Sequence, residues 1–274
     1  MYPYLIRLGD LSVPAYPVLY GLGITLGFVV VLVFGAKEGL EIRKLAHLIP
    51  IVALSCIIGG RLFYVLHHVS EFRGNWTNVF KLSEPGQVFY GGLLLGIPSV
   101  LLFCKWACLP RRRVLDLMAV GVPAGLSVGR LPCFCRGCCW GRLSELPWAM
   151  KFPKYIDLYG NTVGSPPFVR HLDQGLITEG SLHSLPVHPA QIYSSLLCIV
   201  VFLIMLWFWK TKRAEGRLLL VYLVFYALAR FTLEFFRDNQ MAFGGLTIAQ
   251  VLSIVIGGIA AAILLIRHRI KPQR

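Results

Sequence analysis

Charge is what this chain has least of. Charged residues fill 15% of its 274 positions, against about a quarter in a protein whose surface faces water, and this argues against a soluble globular class. Acidic residues are scarcer still, 13 against 27 lysines and arginines. No linker, low-complexity stretch or internal repeat divides the sequence, so tethered domains and repeat architectures are disfavoured and one domain over 1–274 is expected. The segment before the first apolar run holds a single arginine and a single aspartate, and no small-residue cleavage site follows the run. That run therefore reads as a span, not as a cleavable signal peptide.

What fills the chain is apolar, at 56% of residues. Runs long enough to cross a bilayer lie at about 15–36, 47–67, 90–109, 114–134, 189–209, 217–236 and 246–266. They predict an all-α, polytopic membrane helix bundle of about seven transmembrane helices. Positive charge collects in alternate loops: Lys37, Arg43 and Lys44, then Lys105 and Arg111 to Arg113, then Lys210, Lys212, Arg213 and Arg217, and finally the tail from Arg267 to Arg274. The other short loops carry only Arg7, or Arg73 and Lys81, or Arg237. The positive-inside rule then sets the N-terminus outside and the C-terminus in the cytoplasm. The net charge of +14 suits anionic inner-leaflet lipid, and nucleic acid is not expected as a partner. The longest loop, about 142–187, falls on the outer side and holds Pro147, Pro153, Pro166, Pro167 and Pro186. It reads as a small irregular head over the helix ends, and loops of this length are more often functional than idle.

An arginine at mid-bilayer depth costs about 2.5–3.5 kcal/mol on insertion scales, so an intramembrane ionisable residue points to function. By the topology above, Arg61, Arg130, Arg230, Glu234 and Arg237 all fall in the outer half of their spans or at the mouth. Arg230 and Glu234 are one helical turn apart and share a face. Tyr20, the Tyr90-Gly91-Gly92 element, and His188-Pro189 with Gln191 and Tyr193 begin spans at the same level. Singly, each has a plain reading: a snorkelling Arg61, a structural Arg230–Glu234 pair, Tyr20 and Tyr90 in an aromatic belt, Pro189 at the start of a helix. Together they describe a cationic, greasy site. Guanidinium forks match phosphate oxygens, so an anionic phospholipid fits both halves of that description.

The run Gly129-Arg130-Leu131-Pro132-Cys133-Phe134-Cys135-Arg136-Gly137-Cys138-Cys139-Trp140-Gly141 resembles the signature of bacterial prolipoprotein diacylglyceryl transferases. Gly59-Gly60-Arg61, Tyr90-Gly91-Gly92, His188-Pro189-x-Gln191-x-Tyr193, Arg230-x-x-x-Glu234-Phe235-Phe236-Arg237 and Trp148 to Pro153 support the likeness in order and spacing, along nearly the whole chain. The resemblance implies transfer of the diacylglyceryl group of phosphatidylglycerol to the lipobox cysteine of a prolipoprotein, with release of glycerol phosphate, in the bacterial cytoplasmic (inner) membrane. It implies Arg130, Arg230, Glu234, Tyr20 and Tyr90 as catalytic residues. Arg130, Arg61, Arg237, Cys133, Gly141, His188 and Gln191 would bind substrate. No cofactor or metal is required, because arginine supplies the positive field. Tyr90 stands where many relatives have histidine, and a phenol with an ordinary pKa of about 10 is a poor base at neutral pH. Cys133 stands where many have asparagine. These departures keep open a related lipid or prenyl transferase with another acceptor, and a non-enzymatic phospholipid binder.

Four of the eight cysteines lie within seven positions, Cys133, Cys135, Cys138 and Cys139. Four thiolates bind zinc tetrahedrally, although such sites usually draw pairs from separate segments. Cys135-x-x-Cys138 has the spacing of a redox pair, which leaves a membrane thiol oxidoreductase as another reading. The plainest reading is small, polarizable packing at a helix end.

Overall fold

The structure is a computed structural model. It describes residues 4–270 except 9–10, 73–76, 78, 80–88, 157–161, 212–214, 240 and 242–243. An antiparallel pair, β1 (Tyr4–Leu8) and β2 (Leu11–Pro14), leads into α1 (Ala15–Lys37), α2 (Ile42–His67), α3 (Val69–Phe72) and α4 (Phe89–Trp106). Then come α5 (Arg111–Gly129), the short α6 (Leu131–Arg136), a second antiparallel pair of β3 (Lys154–Ile156) and β4 (Thr162–Gly164), and α7 (Pro166–Asp173). Helices α8 (Ala190–Lys210), α9 (Arg217–Glu234) and α10 (Ile248–Ile270) complete the order.

Seven of these helices overlie the seven apolar runs. Among the described residues, five of the spans are long and apolar enough to cross a bilayer: Ala15–Lys37, Ile42–His67, Arg111–Arg136, Ala190–Lys210 and Ile248–Arg267. The apolar stretch Gly91–Trp106 is shorter. In α9, Arg217, Arg230 and Glu234 dilute an otherwise apolar helix. The chain is an all-α polytopic membrane protein, since backbone satisfied within its own helix is what a bilayer requires.

It packs as two compact units, Val31–Leu117 and a discontinuous unit of Met1–Val30 with Met118–Arg274. In the first, α2 crosses α4 at Gly59 and Gly91. A Cβ built on Gly59 would lie 2.3 Å from the Gly91 carbonyl oxygen, and one on Gly91 would lie 2.2 Å from the Gly59 oxygen. Both obstacles are backbone, so neither moves without parting the helices. Gly91→Ala is expected to lower stability by about 3 kcal/mol, the upper end for overpacking. Thermal unfolding in detergent measures this; an unchanged midpoint would show that the helices separate at little cost.

Arg61 also belongs to this unit and is 5% exposed. Its Nε donates to the Val79 carbonyl at 2.9 Å, and its guanidinium lies 5.7 Å from the Tyr64 ring centre and 5.6 Å from that of Phe72. Its surroundings are those of a cation held by a carbonyl and two rings, and not those of a snorkelling side chain.

In the second unit α1 meets α5 along small residues. A Cβ on Gly23 would lie 2.8 Å from the Gly125 oxygen, and one on Gly27 3.0 Å from the Gly121 oxygen. Helix α9 packs against both α8 and α10. The head is more regular than its prolines suggest. Pro166 and Pro167 occupy the first turn of α7, where the missing N–H costs nothing, and Pro167, Phe168 and His171 turn one buried face inward. The β3–β4 pair was not legible because each strand is only three residues long. Phe152 is 3% exposed and meets Phe134 of α6 edge-on at 6.0 Å, which ties head to helix.

His171 Nδ1 accepts a hydrogen bond from the Leu185 N–H at 3.2 Å, so the ring must be unprotonated there. Burial holds its pKa below the ordinary value, opposed by Asp238. The unfolded chain takes up the proton more readily, so this contribution is whole above about pH 6.5 and is lost as pH falls through the lower folded value. Protection of the Leu185 amide from exchange, corrected for intrinsic rate, is expected to fall between about pH 7.5 and pH 5. His171→Asn, which keeps an acceptor and does not titrate, should flatten that dependence.

Candidate functional site

Three helix ends build the site: the C-terminal ends of α5 and α9 and the N-terminal end of α8. The segment after α6 stitches them together. Gly141 N–H donates to the His188 carbonyl at 3.0 Å, His188 N–H to the Arg142 carbonyl at 2.9 Å, and Arg142 N–H to the Phe236 carbonyl at 2.9 Å. Arg142 Nε adds a bond to the Arg237 carbonyl at 3.1 Å. Residues 141 and 142 are thus held between two chain segments far away in sequence. A Cβ on Gly141 would lie 2.4 Å from the Phe236 oxygen and 2.6 Å from His188 Cβ, so no other residue fits. His188, Tyr193 and Phe236 form a tilted aromatic trio with centres 5.3 to 5.9 Å apart. Tyr193 OH also accepts from Trp148 Nε1 at 2.7 Å, which anchors the head to α8.

Arg130, Cys133, Cys139, Ala190, Gln191, Ser194, Leu233 and Arg237 line a small, partly open cavity. Its polar lining is under-used. Arg130 Nε, Arg237 Nε and Gln191 Oε1 are buried with no hydrogen-bond partner among the described residues. Gln191 is 2% exposed, and its Nε2 donates to the Cys138 carbonyl at 2.7 Å.

One turn below, Arg230 Nη1 lies 2.7 Å from Glu234 Oε2. The angle is not that of a hydrogen bond, so both atoms still lack such a partner, while Glu234 Oε1 accepts from Asn239 Nδ2. Arg230 lies within the electrostatic reach of Arg237 and Arg130. Three guanidiniums therefore meet one buried carboxylate, and the excess is positive. The arrangement can hold a doubly anionic group.

The expected residues divide as follows. Arg130, Arg237, Cys133 and Gln191 come together on the cavity wall; Gly141 and His188 form its scaffold; Arg230 and Glu234 stand beside it. Tyr20 is on α1, 49% exposed and stacked on Tyr16 at 6.0 Å, and does not line the cavity. Arg61 lies in the other compact unit. Tyr90 opens α4, and its side chain falls outside the described residues. Sequence reasoning missed Ser194, Leu233 and Asn239; Ser194 was accessible as the residue one turn after Gln191 on the same face.

The cysteines regroup. Cys133, Cys138 and Cys139 bring their sulfurs within 4.8 Å of one another, and Cys135 is not in that group. The Cys135–Cys138 redox spacing is therefore not the one that the fold assembles. Gly137 (φ 76°) and Cys139 (φ 60°) are both left-handed, and these two reversals fold Cys138 and Cys139 back toward α6. Hydrogen bonds from Cys133 and Cys138, with Arg237 and Arg130 nearby, hold the Cys139 thiol below its ordinary pKa despite burial.

Residues 3–267 match the family model described as prolipoprotein diacylglyceryl transferase. The phosphatidylglycerol–prolipoprotein diacylglyceryl transferase of Bordetella bronchiseptica is 32% identical over 261 residues, covering 92% of this chain and 90% of the relative. That of Legionella pneumophila is 34% identical over 265 residues (92% and 91%), and that of Coxiella burnetii 33% over 270 residues (94% and 93%). The chain belongs to the prolipoprotein diacylglyceryl transferase family.

Proposed function

We propose that this transferase moves the diacylglyceryl group of phosphatidylglycerol onto the lipobox cysteine thiol of a prolipoprotein signal peptide. The observation that carries the reading is the small cavity walled by Arg130 and Arg237, whose buried Nε atoms have no hydrogen-bond partner among the described residues. The acceptor thiol gives up its proton, its sulfur forms a bond to the glyceryl CH₂ that bears the phosphate, the bond from that carbon to the phosphate oxygen breaks, and glycerol phosphate leaves with the electron pair and takes up the released proton. Arg130 holds the phosphate and stabilises the charge that grows on it. Arg237 guides the head group from the rim. Arg230, oriented by Glu234, adds to the same field or favours the thiolate of the acceptor. Gln191, Cys133, His188 and Gly141 shape the cavity. Arg61, Tyr20 and Tyr90 keep proposed roles on resemblance alone.

The enzyme works in the bacterial cytoplasmic membrane, N-terminus outside and C-terminus in the cytoplasm, a reading supported by the alternating Lys/Arg loops. The head, about 142–187, then faces the translocated acceptor, and the whole of 1–274 acts as one integral membrane domain. The test is complementation of a bacterium depleted of its own transferase, scored by the mass of a reporter lipoprotein. A diacylglyceryl mass gain that depends on this chain is the expected result. A well-expressed, folded chain that gives no gain would overturn the reading in favour of a phospholipid binder; a different added mass would indicate another lipid donor.

A further inference from the structure

Three of the cysteines beside the site are grouped as metal ligands are grouped. A zinc-class ion takes thiolates at about 2.3 Å, which places the sulfurs of a three-thiolate site about 4 Å apart. The Sγ atoms of Cys133, Cys138 and Cys139 all lie within 4.8 Å of one another, so closing on an ion needs only a small shift. We propose that Cys133, Cys138 and Cys139 form a binding site for one thiophilic divalent cation of the zinc class, with a water as the fourth ligand.

Three further features favour a metal over packing. First, Cys139 is a non-glycine residue at φ 60°, a conformation that costs about 1–2 kcal/mol and brings its sulfur to the other two. Second, the neighbours are wrong for a greasy thiol cluster. Cys133 and Cys139 share the cavity wall with Arg130 and Arg237, whose buried Nε atoms lack hydrogen-bond partners among the described residues. Three thiolates around a divalent ion carry a net single negative charge, which offsets part of the positive excess of those guanidiniums and leaves the rest for the phosphate; neutral thiols supply none. Third, Gln191 is 2% exposed, lines the same cavity, and has an unpartnered Oε1. That oxygen is free to accept a hydrogen bond from such a water, while its Nε2 donates to the Cys138 carbonyl. Outer groups of this kind orient ligands and tune affinity. Cys135 stands outside the set and serves as the internal control.

The test uses the reduced, metal-stripped full chain in detergent, titrated with Zn²⁺ against a chromophoric chelator and with Cd²⁺ for the ultraviolet thiolate charge-transfer band. One ion per chain is expected. Cys133→Ser, Cys138→Ser or Cys139→Ser should each weaken binding by more than the roughly 10–100-fold that outer-shell changes cost, and Cys135→Ser should leave it unchanged. Because a serine variant can fail to fold, the wild-type chain is also alkylated with and without Zn²⁺ and mapped by mass spectrometry, with protection expected at Cys133, Cys138 and Cys139 and not at Cys135. Failure of the reduced wild type to retain an ion, equal binding by the triple serine variant, or protection of a different set would each overturn the site. An intrachain disulfide among the three, trapped by alkylation in the membrane, would reassign them to redox chemistry. None of these readouts uses lipid transfer: a chain that loads zinc but transfers nothing keeps this site, and an active chain that loads none removes it.

Discussion

Arg130→Ala is expected to lower the rate of diacylglyceryl transfer by about 10²–10³-fold, the cost of removing one preorganised donor from developing negative charge. The effect should be large because Arg130 stands at the end of α5 on the cavity wall with its Nε buried, where little water can replace it. It should fall mainly on turnover, since charge on the phosphate grows as the carbon–oxygen bond breaks. Arg130→Lys keeps the charge and loses the planar fork, so an intermediate rate is expected. The measurement is transfer of labelled lipid to a lipobox peptide at saturating acceptor, with thermal unfolding as the folding control. A folded Arg130→Ala protein with near wild-type turnover would remove Arg130 from the reaction.

The second large effect concerns Glu234. Its side chain is 1% exposed and paired with Arg230, and its other oxygen accepts from Asn239. Breaking a buried pair from one side leaves a charge without compensation and costs about 3–5 kcal/mol. Glu234→Ala is therefore expected to destabilise the protein by that amount and to abolish transfer. Two further variants separate charge from packing. Glu234→Gln keeps an oxygen for Asn239 and should lose less stability. The double variant Arg230→Ala, Glu234→Ala should be more stable than Glu234→Ala alone, because the stranded cation is gone. If the double variant is the less stable of the two, the pair matters through packing and not through charge.

Much of this was legible from residue order alone. Seven apolar runs became seven helices because a bilayer leaves the backbone few other choices. Arg130, Gln191 and Arg237 were found together because they close or open those helices at one common level. What stayed hidden depended on a few backbone angles or on contacts between distant segments. The grouping of Cys133 with Cys138 and Cys139, leaving Cys135 out, follows from two left-handed residues at 137 and 139, and no spacing rule reports these. Arg61 looked like its fellow arginines by depth, yet the Val79 carbonyl and two rings of its own unit are among its partners. The β3–β4 pair is too short to carry an alternation pattern.

Because Gly23 and Gly27 close on Gly125 and Gly121, the order of synthesis bears on assembly. The second pair follows the first by about a hundred residues, a delay of roughly 5–20 s at ordinary elongation rates. During that interval α1 is inserted with its small-residue groove unmet, while the intervening segment Val31–Leu117 already contains both partners of its own Gly59–Gly91 crossing. The Val31–Leu117 unit can therefore mature first, and a nascent chain arrested before residue 118 would hold a finished α2–α4 pair and an α1 whose groove is still open.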